Sequence, residues 1–380
     1  MVNGKGKCAI CHCNTFGRRG GINGRFLSKI NLINPPASLD NGWRRLTLHY
    51  MNNGDAEPLH PAHTIFIFAR LQRPLATSDE TVVRRAVQQA LPSLRRVYRT
   101  YTYDASCLAV QDGQIIHANR DNNVKIVLDE HAPDDFDAFI AYCLQHVPRF
   151  NQPLFTRLSP HGYMHLCFNH ALADGMEIKG FMTDLVKRLA VVERPLADIK
   201  PLTIHPEGSY RYSHWHLDVG RAGVDAVYHR AVYALGKRWG VRYINQLVAG
   251  DTPEHKVSLA AARFTDDWPA FLRHNRAQTK RAKQWRNRFG FWSLLLKQGN
   301  PLPLYLYDAL CHFDWMKRPF RAWTMGDLQI SSIMMSNRNY LMFPVHHPAQ
   351  QRAVVLGGVW TAAGRTWVQV NVTELKEGNR

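Results

Sequence analysis

His170 and Asp174 stand four residues apart, with Gly175 next, in the run FNHALADG from Phe168 to Gly175. Imidazole is the side chain that titrates nearest neutrality, so a His presented at the end of an element can take a proton from a hydroxyl or an amine. A carboxylate four residues on need not touch a substrate. Pinned by an arginine, it holds the turn that presents the imidazole, and Gly175 supplies backbone freedom there. The chemistry that these residue types point to is general-base catalysis.

Other constellations are weaker. Cys8, Cys11 and Cys13, with His12, form a C-x-x-C-H-C cluster suited to a soft metal. A zinc site needs a second ligand pair roughly 12 to 20 residues on, and none follows, so no metal is expected. His214 and His216 flank Trp215 and share one strand face, but lack a nearby carboxylate or thiol at ligand spacing, which favours a structural role. Cys107, Cys143, Cys167 and Cys311 stand alone in apolar or mixed surroundings, as small buried hydrophobes do. No P-loop, dinucleotide fingerprint or G-x-S-x-G elbow occurs.

The elements that must position His170 are legible around it. Tyr163 to Asn169 alternates polar and apolar residues and predicts a half-buried strand running straight into the turn. Ile178, Phe181, Met182, Leu185, Val186 and Leu189 recur at helical spacing after Gly175, so the order is strand, polar turn, helix. Upstream, Thr64 to Leu71 predicts a strand. Thr77 and Glu80 form a capping box before a helix that Pro92 stops. Val97 to Val110 and Gln114 to His117 predict paired strands about Asp112-Gly113, and Asp134 to Val147 a helix burying Phe136, Phe139, Ile140, Cys143 and Leu144. Downstream, a helix spans Ala222 to Trp239. Strands cover Leu328 to Met335, Ala353 to Val359 and Thr366 to Val372, the last two joined at Ala363-Gly364. Strands and helices mix in both halves, which predicts an α/β chain of two lobes with a boundary near residue 200.

On these residues the chain resembles a known family. FNHALADG resembles the HHxxxDG motif of the chloramphenicol acetyltransferase superfamily, which includes condensation domains of nonribosomal peptide synthetases and polyketide-associated acyltransferases. LQRPL from Leu71, the helix after it and LPSLRR ending at Arg96 resemble the early condensation-domain segment whose Arg pairs with the motif Asp. The resemblance puts that role on Arg95, with Arg70 or Arg73 in reserve. WGVRYINQL (Trp239 to Leu247) resembles a later helix start with Asn245 at its Asn, and Ser336-Asn337 resembles an SN pair of the tunnel wall.

The resemblance, over residues 60 to 375, implies a pseudo-dimer of two chloramphenicol-acetyltransferase-like lobes with a tunnel between them. It implies that His170 deprotonates a hydroxyl or amine acceptor as this attacks a thioester carbonyl. Asp174 and Gly175 complete the catalytic motif, Arg95 and Asn169 support it, and Asn245, Ser336 and Asn337 line the tunnel. The donor is acyl-CoA or acyl-phosphopantetheine, with no tightly bound cofactor. Asn169 departs from the family, standing where the first motif His lies. The alternative is a catalytically silent homologue that keeps the fold as a binding protein.

Composition bounds the partners. The chain has 380 residues, 48 Lys and Arg against 30 Asp and Glu, and a formal net charge of +18. Its 45% hydrophobic and 11% aromatic residues exclude disorder for most of it. No apolar run approaches the roughly 18 residues that span a bilayer, and the first thirty residues show no secretory h-region. Seven cysteines, an odd count, argue against a disulfide framework. The expectation is a cytoplasmic monomer. Residues 1–58 are expected as a basic, flexible N-terminal extension, 59–200 as the lobe carrying HxxxDG, and 201–380 as the second lobe. The first fifty residues hold eight Lys and Arg and one acid, which accounts for +7 of the +18.

The remaining charge suits an acidic carrier protein or the phosphates of CoA. The acceptor is a small molecule, a peptide or a lipid. Arg273, Arg276, Lys280, Arg281, Lys283, Arg286 and Arg288 form an acid-free run with Trp285 and Phe289 interleaved. Such a run can also bind single-stranded nucleic acid, or, joined to Phe291 to Leu296, a membrane surface. A solvated helix face is the commoner use, so nucleic acid is the disfavoured partner.

Overall fold

The computed structural model describes residues 64–72, 79–97, 102–111, 114–120, 124–148, 150–170, 172–189, 201–205, 210–221, 224–252, 255–283, 328–332, 339–345 and 352–376. In chain order the first half runs β1 (Thr64–Arg70), α1 (Asp79–Ala90), β2 (Arg95–Val97), β3 (Thr102–Asp104), β4 (Leu108–Gln111) and β5 (Gln114–His117). It continues with β6 (Val124–Leu128), α2 (Phe136–Gln145), β7 (Leu154–Leu158), β8 (Tyr163–Asn169) and α3 (Gly175–Arg188). The second half adds β9 (Leu202–Ile204), β10 (Tyr210–Gly220), α4 (Val224–Trp239), β11 (Tyr243–Thr252), β12 (His255–Arg263) and α5 (Trp268–Lys283). It ends with β13 (Leu328–Ser331), β14 (Tyr340–Phe343), β15 (Arg352–Ala362) and β16 (Arg365–Leu375). The expected N-terminal extension, the Cys8 cluster, Trp285 to Leu296 and the Thr77 cap lie outside the described residues.

The first sheet has the order β14-β1-β8-β7-β6. β1 is TIFIFAR, a nearly continuous apolar run, as expected of a strand covered on both faces. Side chains alternate across a strand, so Ile65, Ile67 and Ala69 join α1 and α3 in one core, with Val87, Ile178, Phe181 and Leu185. Phe66 and Phe68 point the other way and pack with Phe139, Ile140 and Cys143 of α2. The α2 helix is started by Asp135, whose carboxylate accepts from the Ala138 amide at 2.8 Å, and its five expected apolar residues are all buried. β8 sits between β1 and β7, and every residue from Met164 to Asn169 is buried. The half-buried expectation is therefore corrected: α2, together with Tyr210 and Tyr212 of β10, packs against the face that carries Cys167.

The second sheet has the order β12-β11-β13-β15-β16-β10-β9. One of its faces carries Ile330, Val354, Leu356, Val368, Val370 and Val372, packed under Val232 and Leu235 of α4 and Phe271 of α5. The expected helix start at Asn245 is also corrected. α4 ends at Trp239, where Gly240 at φ 57° lets Val241 donate to the Gly236 carbonyl at 3.2 Å in a Schellman closure. The chain then leaves as a strand, with Asn245 opposite Ala261 of β12 and Gln329 of β13. Tyr243, Ile244 and Val248 are the β-branched and aromatic residues that favour this.

The expected turn between the last two strands is present, with Ala363 at φ 49° and Gly364 at φ 71° between paired Ala362 and Arg365. A left-handed alanine is strained, and Ala363 is exposed, so nothing packed is lost by changing it. Ala363→Asn, which creates the Asn-Gly pair that this hairpin turn favours, is expected to stabilise the chain by about 1 kcal/mol. Thermal unfolding of the two forms checks this.

Candidate functional site

The site begins where β8 runs out. Asn169 closes the ladder: it pairs with Thr64 of β1, and its amide donates to the Pro153 carbonyl at 3.0 Å. Its own carbonyl accepts from both Leu172 and Ala173 at 3.0 Å, which folds the chain back immediately beyond the strand. Asp174 then caps α3. Its Oδ1 accepts from the Met176 amide at 2.8 Å, and Glu177 Oε2 accepts from the Asp174 amide at 2.8 Å, a reciprocal capping box. Strand end and helix start are thus both fixed by hydrogen bonds within the nine residues from Asn169 to Glu177, and His170 lies between them.

His170 is exposed, and its Nδ1 lies 2.9 Å from the Ala173 carbonyl oxygen. A carbonyl only accepts, so Nδ1 carries the proton and donates it there. In the neutral ring Nε2 is then the nitrogen with the free lone pair. This is the tautomer that a general base requires.

Asp174 does have an arginine. Arg96 NH1 lies 3.7 Å from Asp174 Oδ2, both side chains being less than a fifth exposed. The expected partner, Arg95, is exposed and turned outward. The reason is strand parity: in β2, Arg95 and Val97 share the outer face while Arg96 faces α3. Arg70 is at the wrong end of the sheet, paired with Tyr163, its guanidinium 5.9 Å from the Phe136 ring and 6.0 Å from that of Tyr163. Arg73 lies outside the described residues.

The approach of β2 to α3 depends on Gly180. A Cβ there would stand 2.8 Å from the Ser93 carbonyl oxygen, two residues before β2 begins, and Ser93 Oγ donates to Asp184 one turn further along α3. Backbone cannot swing aside as a side-chain tip does. Gly180→Ala is expected to destabilise the chain by roughly 1–3 kcal/mol through this overlap. A denaturant midpoint lowered at unchanged slope checks it.

The remaining expected residues are dispersed. Asn169 is 1% exposed, its side chain inside the first sheet. Asn245 is 2% exposed and belongs to the second sheet. Ser336 and Asn337 lie outside the described residues. His165 is no rival base: it is fully buried, stacked on Phe68 at 4.5 Å between ring centroids, with Nε2 3.2 Å from Cys167 Sγ. Burial, and then the charge of Arg157, hold its pKa well below the ordinary imidazole value.

Two contributors escaped the sequence reading. Arg96 was adjacent to the residue chosen. Glu177 was detectable, because Asp174-x-x-Glu177 is itself a capping signature. Among the described residues no group of three or more metal-ligating side chains occurs, and no helix is long and apolar enough to cross a membrane. Arg273, Arg276, Lys280 and Arg281 are exposed on α5, whose buried side carries Phe271, Asn275 and Ala282.

No family model and no curated protein matches the chain by sequence. Solved structures resemble it in fold. The starter condensation domain of rhizomide synthetase RzmA is 9% identical, with 88% of each chain covered and a TM-score of 0.43. The epimerization domain from the third module of tyrocidine synthetase B is 13% identical, with 82% of this chain and 87% of that one covered and a TM-score of 0.41. Polyketide synthase associated protein 5 from Mycobacterium tuberculosis is 9% identical, with 86% and 90% covered and a TM-score of 0.42. The chemistry open to the chain is set by the turn between β8 and α3.

Proposed function

We propose that this chain is an acyltransferase that moves an acyl group from a thioester to a hydroxyl or amine acceptor, with His170 as general base. The observation that carries the reading is the hydrogen bond from His170 Nδ1 to Ala173, which leaves Nε2 basic on an exposed residue. Nε2 takes the acceptor proton as its oxygen or nitrogen attacks the thioester carbonyl. The tetrahedral oxyanion collapses, the C–S bond breaks, and the imidazolium returns its proton to the departing thiolate. One acyl group and one proton change places, and no bound cofactor enters the step.

Asp174 and Gly175, through the start of α3, and Arg96, through Asp174, are positioning residues in this scheme. In the fuller form of the reading, the chain divides near residue 200 into two lobes that form a pseudo-dimer with a tunnel between them. The donor is acyl-CoA or an acyl-phosphopantetheine on an acidic carrier protein, toward which the net positive charge steers. The test is acceptor-dependent thiol release from acyl-CoAs of graded length and from the corresponding acyl-pantetheines, using the full chain. Release that depends on acceptor is expected. Its absence with every donor would leave the silent binding protein as the better reading.

A further inference from the structure

A short chain of polar side chains runs through the apolar layer where β11 meets α4 and α5. β11 turns Ile244, Gln246 and Val248 toward the helices, and Gln246 and Asn275 of α5 are both 0% exposed. Phe271, one turn before Asn275, and Leu235 of α4 belong to the core alongside. Gln246 Nε2 donates to Asn275 Oδ1, and Asn275 Nδ2 donates back to Gln246 Oε1 at 3.2 Å. The same Nδ2 lies 2.9 Å from Nδ1 of His229 on α4. With Asn275 Oδ1 taken up by Gln246, the amino group faces the imidazole, so Nδ1 accepts and the ring proton sits on Nε2.

The outer end of this chain reaches the surface. His229 Nε2 makes no hydrogen bond among the described residues and is open to solvent. Arg276, next to Asn275 on α5, is exposed and near enough for its charge to act on the ring. Lys280 follows one turn on, also exposed, and α5 carries no Asp or Glu. Among the described residues no carboxylate pairs with Arg276 or Lys280. Burial, and then the Arg276 charge, hold the His229 pKa below the ordinary imidazole value. Of its other neighbours, Tyr228 is a phenol that burial keeps protonated, and Gln246 is neutral. Apolar side chains would fill the place of two buried amides without needing partners. What the amides add is an imidazole of fixed tautomer with its N–H outward, beside a guanidinium.

We propose that His229 and Arg276, with Lys280 beside them, form a binding site for a phosphate monoester at the surface between α4 and α5. A monoester carries up to two negative charges and three terminal oxygens, one each for the imidazole N–H, the guanidinium and the ammonium. A carboxylate, with two oxygens and one charge, is satisfied by the guanidinium alone. The bound anion offsets the repulsion between Arg276 and a protonated ring, so His229 takes up a proton more readily when the site is filled. The amide chain follows without losing a bond: Asn275 and Gln246 reverse together, and Asn275 Oδ1 accepts from the newly protonated Nδ1. The site does not depend on acyl transfer at His170.

Ring-nitrogen NMR of the full chain tests this, with His229 assigned from a His229→Gln variant. Inorganic phosphate is the probe, and acetate and chloride at matched ionic strength are the controls. In the free chain Nε2 is expected to be the protonated nitrogen. Saturable phosphate binding should raise the His229 pKa by about one unit, the linkage of a tenfold preference for the imidazolium. Arg276→Gln is expected to weaken phosphate binding by about tenfold or more, whereas Lys187→Gln, which removes an exposed charge on α3, leaves it near the wild-type value. A protonated Nδ1 in the free chain, no saturable shift, acetate binding as well as phosphate, or equal loss in the two charge variants (a counterion atmosphere only) would overturn the site. CoA and dephospho-CoA, competing against phosphate, separate the sources. Displacement by CoA alone assigns the site to the ribose phosphate of a nucleotide ligand, and displacement by neither assigns it to free phosphate. Displacement by both equally would mean that a diester suffices, and would overturn the monoester assignment.

Discussion

His170→Ala lowers acceptor-dependent thiol release by about 10²–10⁴-fold, the usual contribution of a positioned general base. The size of the loss follows from the tautomer. With Nδ1 committed to the Ala173 carbonyl, Nε2 is the atom that can accept the acceptor's proton, and alanine supplies no substitute. Stability should change little. His170 is exposed, and the backbone bonds from Leu172 and Ala173 to Asn169 remain in the variant, so a shift within about 0.5 kcal/mol is expected. Parallel measurement of thiol release and thermal unfolding separates loss of chemistry from loss of fold. A folded variant turning over at the wild-type rate would remove His170 from the mechanism.

Arg96→Ala and Arg95→Ala should differ sharply although the residues are neighbours. Removing Arg96 leaves the largely enclosed Asp174 carboxylate without the guanidinium 3.7 Å away, at a cost of about 1–2 kcal/mol, less than for a fully buried pair in close contact. The same carboxylate holds the Met176 amide, so the start of α3, and with it the Ala173 carbonyl that orients His170, loses an anchor. A fall in kcat of about tenfold or more is expected, with KM moved less, because geometry at the base matters more in the transition state than in binding. Arg95→Ala should leave both constants near wild type, its side chain being in water. Equal effects from the two substitutions would dissolve the positioning role of Arg96.

The residues of the turn were legible in the sequence because everything that defines them is local. His170, Asp174, Gly175 and the helix that follows occupy one short stretch, and both the strand period and the helix period can be read there directly. What was misread depends on something non-local. Choosing between Arg95 and Arg96 requires the phase of a three-residue strand, and no periodicity can be measured over so few residues. The burial of His165 and Cys167 requires knowing that α2 and β10 pack against their face, which an alternating pattern taken alone cannot disclose. Asn245 was assigned by resemblance to a helix start, against a local sequence that favours a strand once Gly240 has ended α4. The polar alternation of Gln369, Asn371 and Thr373 is local to β16, but that Asn371 stands opposite His214 depends on cross-strand register, which the sequence does not disclose.

The edge strand of the first sheet sets a timetable for the chain. β14 pairs with β1 through Phe66 opposite Phe343, partners about 280 residues apart in sequence. Until that segment leaves the ribosome, β1 presents an open edge with Phe66, Phe68 and Ile67 beside it, an invitation to pair with another nascent chain. Contacts of such long reach also slow folding, since a large loop must close before they form. The strand that supports the His170 turn through β8 is therefore among the last to gain its second neighbour. Chains truncated before residue 340 are expected to accumulate as aggregates, and the His170 turn to acquire its final support only after synthesis has passed that point.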